Sequence, residues 1–186
     1  MKSGPVCALR AICPPCVGAS LTEFLAVVSM TALLVGQAIP ACRNMLDRAR
    51  VTTAATNFRI SLAAARSAAL RRGQRVDLLP ATPAGWHTGW RVVVDRNNNQ
   101  RADDGEEVLR DGPALPPGME VLARLTDGSR AYLAFDPSGR PRSASSATVP
   151  QFGSLIFRCG TQRRKVVIGF LGRVRLCDPD HDGSAC

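Results

Sequence analysis

From Phe24 to Cys42 the chain carries no charged side chain, FLAVVSMTALLVGQAIPAC in one-letter code, a run of nineteen residues. Wound as a helix at ~1.5 Å per residue, that run reaches about 28 Å, close to the hydrocarbon thickness of a bilayer. It therefore predicts a membrane-spanning helix. Glu23 stands at its entrance, where a carboxylate drawn into hydrocarbon without a partner costs about 2.5–3.5 kcal/mol. That position calls for a counter-charge. A secretory signal peptide is a poorer account, because its apolar core spans ~7–15 residues and ends at a small-x-small site.

The helical pattern continues past Pro40. Leu46, Ala49, Ala54, Phe58, Leu62, Ala65 and Ala69 recur at mostly three- and four-residue steps, with Arg48, Arg59 and Arg66 between them. One helix is expected from about Leu21 to Arg72, membrane-embedded first and amphipathic after. Gly73 is its stop signal, and Arg71 and Arg72 suit the negative end of the helix dipole. Beyond Gln74 the pattern shifts to short β-prone runs: Val76–Leu79, Gly89–Val94, Val108–Arg110, Met119–Leu125, Ala131–Phe135, Ser154–Cys159, Val166–Leu171 and Arg173–Cys177. Turn residues punctuate them at Pro116-Pro117-Gly118, Asp127-Gly128 and Pro137-Ser138-Gly139, which predicts antiparallel β structure. The Ser-, Ala- and Pro-rich stretch Arg140–Pro150 reads as a loop.

Ahead of the apolar run lie a short leader with Lys2 and Arg10, then Gly18, two small residues, Leu21, Thr22 and Glu23. This order resembles the class III signal of type IV prepilins and pseudopilins. The resemblance implies that a prepilin peptidase cuts between Gly18 and Ala19 at the cytoplasmic face, with methylation of the new N-terminus. Glu23 then becomes the fifth mature residue, which pairs with a neighbouring pilin subunit's terminal amine during assembly. Pro40 sits where the family often has a proline that kinks the helix. Further on, the Gly89–Asp95 stretch and its Asn-rich loop, Phe135-Asp136-Pro137-Ser138-Gly139, Phe157-Arg158-Cys159 and Gly172-Arg173-Val174-Arg175 follow in the order seen in GspH/FimT minor pilins and pseudopilins. The implied fold is α+β and pilin-like, a long N-terminal membrane helix packed on a C-terminal antiparallel β domain. The expected divisions are a leader (1–18), a transmembrane half-helix (19–42), an amphipathic half-helix (43–73) and a periplasmic β domain (74–186). The implied location is the bacterial inner membrane, single-pass, with incorporation into a pilus or pseudopilus.

The 186 residues suffice for one domain plus an anchor. The formal charge is +9, and removing Lys2 and Arg10 with the leader leaves +7. Such an excess favours polyanions or anionic surfaces without naming one. Of the seven cysteines, Cys7, Cys13 and Cys16 fall in the leader and Cys42 at the end of the span. Cys159, Cys177 and Cys186 fall where an oxidising periplasm permits disulfides. The expected bond joins Cys159 to Cys177, near the ends of two strand candidates, and closes a loop of about 19 residues. Cys177–Cys186 is the competing pair.

No catalytic constellation stands out. Only His87 and His181 are available as neutral-pH bases, neither beside a marked nucleophile, and there is no P-loop, so an enzyme is not expected. Asp95, Asn97, Asn99, Asp103 and Glu106 have the ligand spacing of a calcium loop, but Gln100 occupies the position that needs Gly. An Asn/Asp-rich turn explains the same residues and is preferred, so no cofactor is expected, with calcium the alternative. Asp178, Asp180 and Asp182 begin a similar loop that lacks a closing carboxylate. Basic residues gather late, at Arg158, Arg163, Arg164, Lys165, Arg173 and Arg175. Arg173 and Arg175 alternate, so a strand would project both from one face towards successive phosphates. A charged strand edge kept from aggregating explains them equally. In some GspH/FimT-like minor pilins the Gly-Arg-x-Arg motif belongs to a surface that binds double-stranded DNA during uptake. Three functions follow: a minor pilin of pilus assembly, the same pilin as a DNA receptor through Arg163, Arg164, Lys165, Arg173 and Arg175, and a type II secretion pseudopilin contacting secreted protein.

Overall fold

The computed structural model describes residues 20–143, 148–183 and 186. Gly18 and Ala19, with the rest of the leader, lie outside the described residues. Helix α1 runs Leu21–Arg72, and Gly73, in the left-handed region at φ 62°, ends it by donating its N–H to the Ala69 carbonyl (3.0 Å). The chain divides into two compact units, Met1–Pro40 and Ala41–Cys186.

In the first unit residues 20–40 are exposed throughout, and the helix is long and apolar enough to cross a membrane. Its start is capped. The Glu23 N–H donates to Ser20 Oγ (3.3 Å), and Ser20 and Glu23 stand at the two ends of an S-x-x-E capping sequence. Glu23 thus has a local role beside the assembly role the resemblance implies, since a carboxylate in the first turn also suits the positive end of the helix dipole.

In the second unit the helix buries Val51, Ala54, Ala55, Phe58, Ser61, Leu62, Ala65, Ala68 and Ala69. Those steps of three and four mark one face, as the periodicity predicts. Leu46 and Ala49, expected on that face, are exposed, because the buried stripe starts only at Val51. Among the described residues nine strands follow, in two antiparallel sheets. The first, ordered β3-β2-β1-β5-β6, comprises β1 (Val76–Pro80), β2 (Trp90–Val93), β3 (Val108–Gly112), β5 (Leu133–Phe135) and β6 (Pro141–Arg142). The second, ordered β4-β7-β8-β9, comprises β4 (Met119–Leu125), β7 (Gly153–Cys159), β8 (Gln162–Ile168) and β9 (Val174–Cys177).

Both sheets and the helix share one apolar core. Phe58 is its hub, with ring centroids 5.1 Å from Trp90, 5.3 Å from Trp86 and 5.5 Å from Phe157. These edge-on and tilted contacts each contribute about 0.5–1.5 kcal/mol beyond the area they bury. The Trp90 indole N–H donates to the buried Ser61 hydroxyl (2.8 Å), which satisfies both polar groups inside the core. Beneath the indole sits Gly112, where a Cβ would lie 2.1 Å from the ring.

One strand lies elsewhere than the sequence suggests. Val166–Leu171 was the expected span, but β8 begins at Gln162 and holds Arg163, Arg164 and Lys165 within the sheet. The charged run resembles a turn, whereas the turn is the two-residue Gly160-Thr161 link, with Gly160 at φ 57°. Register then pairs Arg158 with Arg163 and Cys159 with Gln162.

Candidate functional site

The Gly172-Arg173-Val174-Arg175 segment begins in a tight turn and ends in β9. The Gly169 N–H donates to the Arg173 carbonyl (2.8 Å), closing the turn. Val174 and Leu176 pack towards the core, so Arg175 faces outward and is exposed. Arg173 is also exposed, but it precedes the strand, so the two arginines are not a pair spaced along β9.

A second turn buttresses the first. In Phe135–Gly139 the Asp136 carboxylate accepts from the N–H groups of Ser138 (2.8 Å) and Arg140 (3.0 Å), and Oδ2 accepts from Arg142 Nε (2.8 Å). Burial alone would raise the Asp136 pKa, but these hydrogen bonds outweigh it and hold the carboxyl below its ordinary value. The two turns meet at Gly172, where a Cβ would stand 2.4 Å from the Gly139 carbonyl oxygen. Its φ of 83° likewise suits only glycine. Arg66 then locks the junction, donating from Nε to the Gly139 carbonyl (2.9 Å) and from Nη2 to the Leu171 carbonyl (3.2 Å). Sequence reasoning missed Arg66, because partners 73 and 105 residues away leave no local signal.

The other expected cations are engaged, two of them by acidic partners. Asp180 pairs with Arg163, and Asp178 pairs with Arg164 at 2.7 Å, the latter with side chains only 13% and 15% exposed. Lys165 Nζ donates to the Cys186 carbonyl (2.9 Å). For Asp178, burial is outweighed by the Asp180 N–H, His181 and Arg164, and the carboxyl sits below its usual value. Arg163, Arg164 and Lys165 are thus engaged by the segment after β9. Among the described residues Arg173 and Arg175 have no acidic partner.

That segment is closed by a Cys177–Cys186 disulfide, which corrects the expected Cys159–Cys177 bond. Cys159 lies opposite Gln162 and Cys177 opposite Lys165, on strands separated by β8. Two strand spacings put them about 10 Å apart laterally, with a further three-residue offset, beyond disulfide reach. Cys159 is free and buried, with Sγ 3.4 Å from Asp47 Oδ1, and Cys42 is free and exposed.

The loop from Asp95 to Glu106 spends its oxygens on itself. Asp95 accepts from the N–H groups of Asn99 (3.2 Å) and Gln100 (2.9 Å), and Asn97 Oδ1 also accepts from Asn99 (3.0 Å). Glu106 accepts from the N–H groups of Arg96 (3.1 Å) and Asp103 (3.2 Å), and Asp103 accepts from the Asn97 amide (2.9 Å). Among the described residues no three Asp, Glu, His or Cys converge as a metal site. These bonds form an Asx-type turn, and in the later loop Asp178 and Asp182 likewise accept from the N–H groups of Asp180 (3.1 Å) and Asp178 (2.7 Å).

A long apolar helix that continues into an amphipathic half, packed on antiparallel sheets, defines a pilin-like α+β subunit. The sequence profile described as "Type II transport protein GspH" matches residues 54–172, and the chain belongs to that family. Pilin-like protein PilA1 of Thermus thermophilus is 32% identical over 163 residues, covering 86% of this chain and 97% of that protein. The type IV minor pilin FimU of Pseudomonas aeruginosa shares the fold at a TM-score of 0.54 and 15% identity, covering 73% of this chain and 94% of that one. Membership of a pilin and pseudopilin family implies assembly with other pilin subunits.

Proposed function

We propose that the chain is a membrane-anchored minor type IV pilin, processed between Gly18 and Ala19, that presents Arg173 and Arg175 to the backbone of double-stranded DNA. Its role is structural and binding rather than catalytic. The anchor sits in the inner membrane with the β domain in the periplasm. The likeness to proteins described as pilin-like and as a type IV minor pilin supports the pilus apparatus. The observation that carries DNA contact is the pair of exposed guanidiniums without acidic partners among the described residues, Arg173 on the turn fixed by Gly172 and Arg66 and Arg175 in the strand that follows. Guanidinium forks match phosphate geometry, and no aromatic side chain stands between the two arginines to stack on bases. Binding is therefore directed at backbone rather than sequence. The family's description as a type II transport protein supports a second reading, a pseudopilin that contacts secreted protein.

The test is fluorescence anisotropy of duplex DNA titrated with the full-length protein in detergent, across a salt series. The parent is expected to show affinity that falls steeply with salt and differs little between sequences, and Arg173→Gln with Arg175→Gln to flatten the log–log slope by up to about 1.8. Equal binding by parent and double variant would show that Arg173 and Arg175 are not the receptor surface and leave the assembly-only pilin reading ahead.

A further inference from the structure

Beside the buried stripe of α1 runs a second stripe, Arg59, Ala63, Arg66 and Leu70, again at steps of four, three and four. With Gly172 and Arg173 from the turn before β9, these residues line a pocket of about 370 Å³. Three guanidiniums therefore border one cavity, and no carboxylate lines it among the described residues. Arg66 is hydrogen-bonded only to the carbonyls of Gly139 and Leu171 among the described residues, which orient its charge without cancelling it. Arg59 and Arg173 are exposed and have no acidic partner among the described residues. Ala63, small and exposed, leaves the space open between them.

Two further pockets carry a different charge balance. The one of about 530 Å³ includes Asp95 and Asp136 beside its arginines, with Arg142 paired to Asp136 at 2.7 Å. In the one of about 710 Å³, lined by Arg91, Arg101 and Arg130, Arg91 pairs with Asp111 (3.3 Å) and Arg130 donates to the neutral Gln100 side chain (3.3 Å).

The geometry points to a phosphate seat between α1 and the Gly172-Arg173 turn, formed by Arg59, Arg66 and Arg173 and occupied by one backbone phosphate of the bound DNA. The assignment rests on the DNA-receptor reading and extends that surface from the C-terminal strand onto the helix. Arg66 is preset by its two carbonyls, so it presents its remaining edge without a large ordering cost, and Arg59 and Arg173 close from either side.

Two measurements on the full-length protein in detergent test it. In the duplex salt series, Arg59→Gln is expected to flatten the log–log slope by up to about 0.9, the whole contribution of the seated phosphate, while Arg110→Gln on β3, outside the pocket, leaves it unchanged. In parallel, inorganic phosphate at matched ionic strength is expected to shift the Gly172 amide and the Arg59, Arg66 and Arg173 Nε–H signals in ¹⁵N spectra, and Arg59→Gln to suppress those shifts. If the parent binds duplex, Arg59→Gln binds equally well and phosphate moves none of these signals, the seat is refuted while the receptor reading stands. If phosphate moves them but the parent binds no duplex, the anion seat stands and DNA as its occupant is refuted. If neither ligand registers, both fall.

Discussion

Asp180 shields Arg163 on the outward face of β8, and removing that shield should strengthen DNA binding. The pair is exposed, with side chains 48% and 39% accessible, so Asp180→Asn should cost only about 0.2–1 kcal/mol of stability. Arg163 lies four residues from Val167, the register partner of Arg175, about 13 Å along the same sheet face. A freed Arg163 that gains one phosphate steepens the log–log salt slope by about 0.9, an extra three- to fourfold gain between about 200 and 50 mM salt. Asp104→Asn, which makes the same charge change in the Asx loop, controls for net charge and should leave the slope unaltered. Asp178→Asn is the poorer probe, because Arg164 and Asp178 are largely buried and breaking such a pair costs about 3–5 kcal/mol. Anisotropy across the salt series reads the slope, and a thermal melt confirms the fold. An Asp180→Asn slope equal to or shallower than the parent's would refute shielding, and would mean that Arg163 faces no DNA.

Three further outcomes are expected. Glu23→Ala should leave an anchored, stable protein that enters filaments poorly, measured by immunoblot of sheared filaments against membranes; normal incorporation would make the charge dispensable. Gly172→Ala should destabilise by about 1–3 kcal/mol and weaken duplex binding together, since the new Cβ meets the Gly139 carbonyl in a left-handed backbone; unchanged melting would contradict the turn packing. Asp77 is buried beside Arg75 (3.1 Å) and the Tyr132 hydroxyl (2.6 Å), and burial, opposed by those two partners, pushes its pKa up from 3.8 to about 7. A pKa raised in the folded state means its contribution is complete below about pH 4 and lost as pH rises through about 7, so the stability of the parent relative to Asp77→Asn should fall across that window. A pH-independent difference in melts would count against it.

The helix was legible from Leu21 to Arg72, because both its apolar run and its later three-four spacing are local signals and Gly73 follows directly. Most strands were legible for the same reason. What escaped depends on contacts distant in sequence: the register that keeps Cys159 from Cys177, the acids that neutralise Arg163 and Arg164, and Arg66 joining two turns. The two-residue β6 carries too little pattern to be seen, and β8 was displaced because three consecutive cations look like a loop when the acidic partner of Arg163 arrives 17 residues later. Of the expected DNA-contact set, Arg173 and Arg175 keep their charge available, while the other three are held by the disulfide-closed segment.

The central claim is that this chain is processed as a pilin at the membrane. The intact mass of the protein isolated from its native membranes tests that directly. The expected product begins at Ala19, is methylated at its N-terminus and retains the apolar helix from Leu21 onward. A chain that still carries residues 1–18, or one cut after the apolar run, would contradict it.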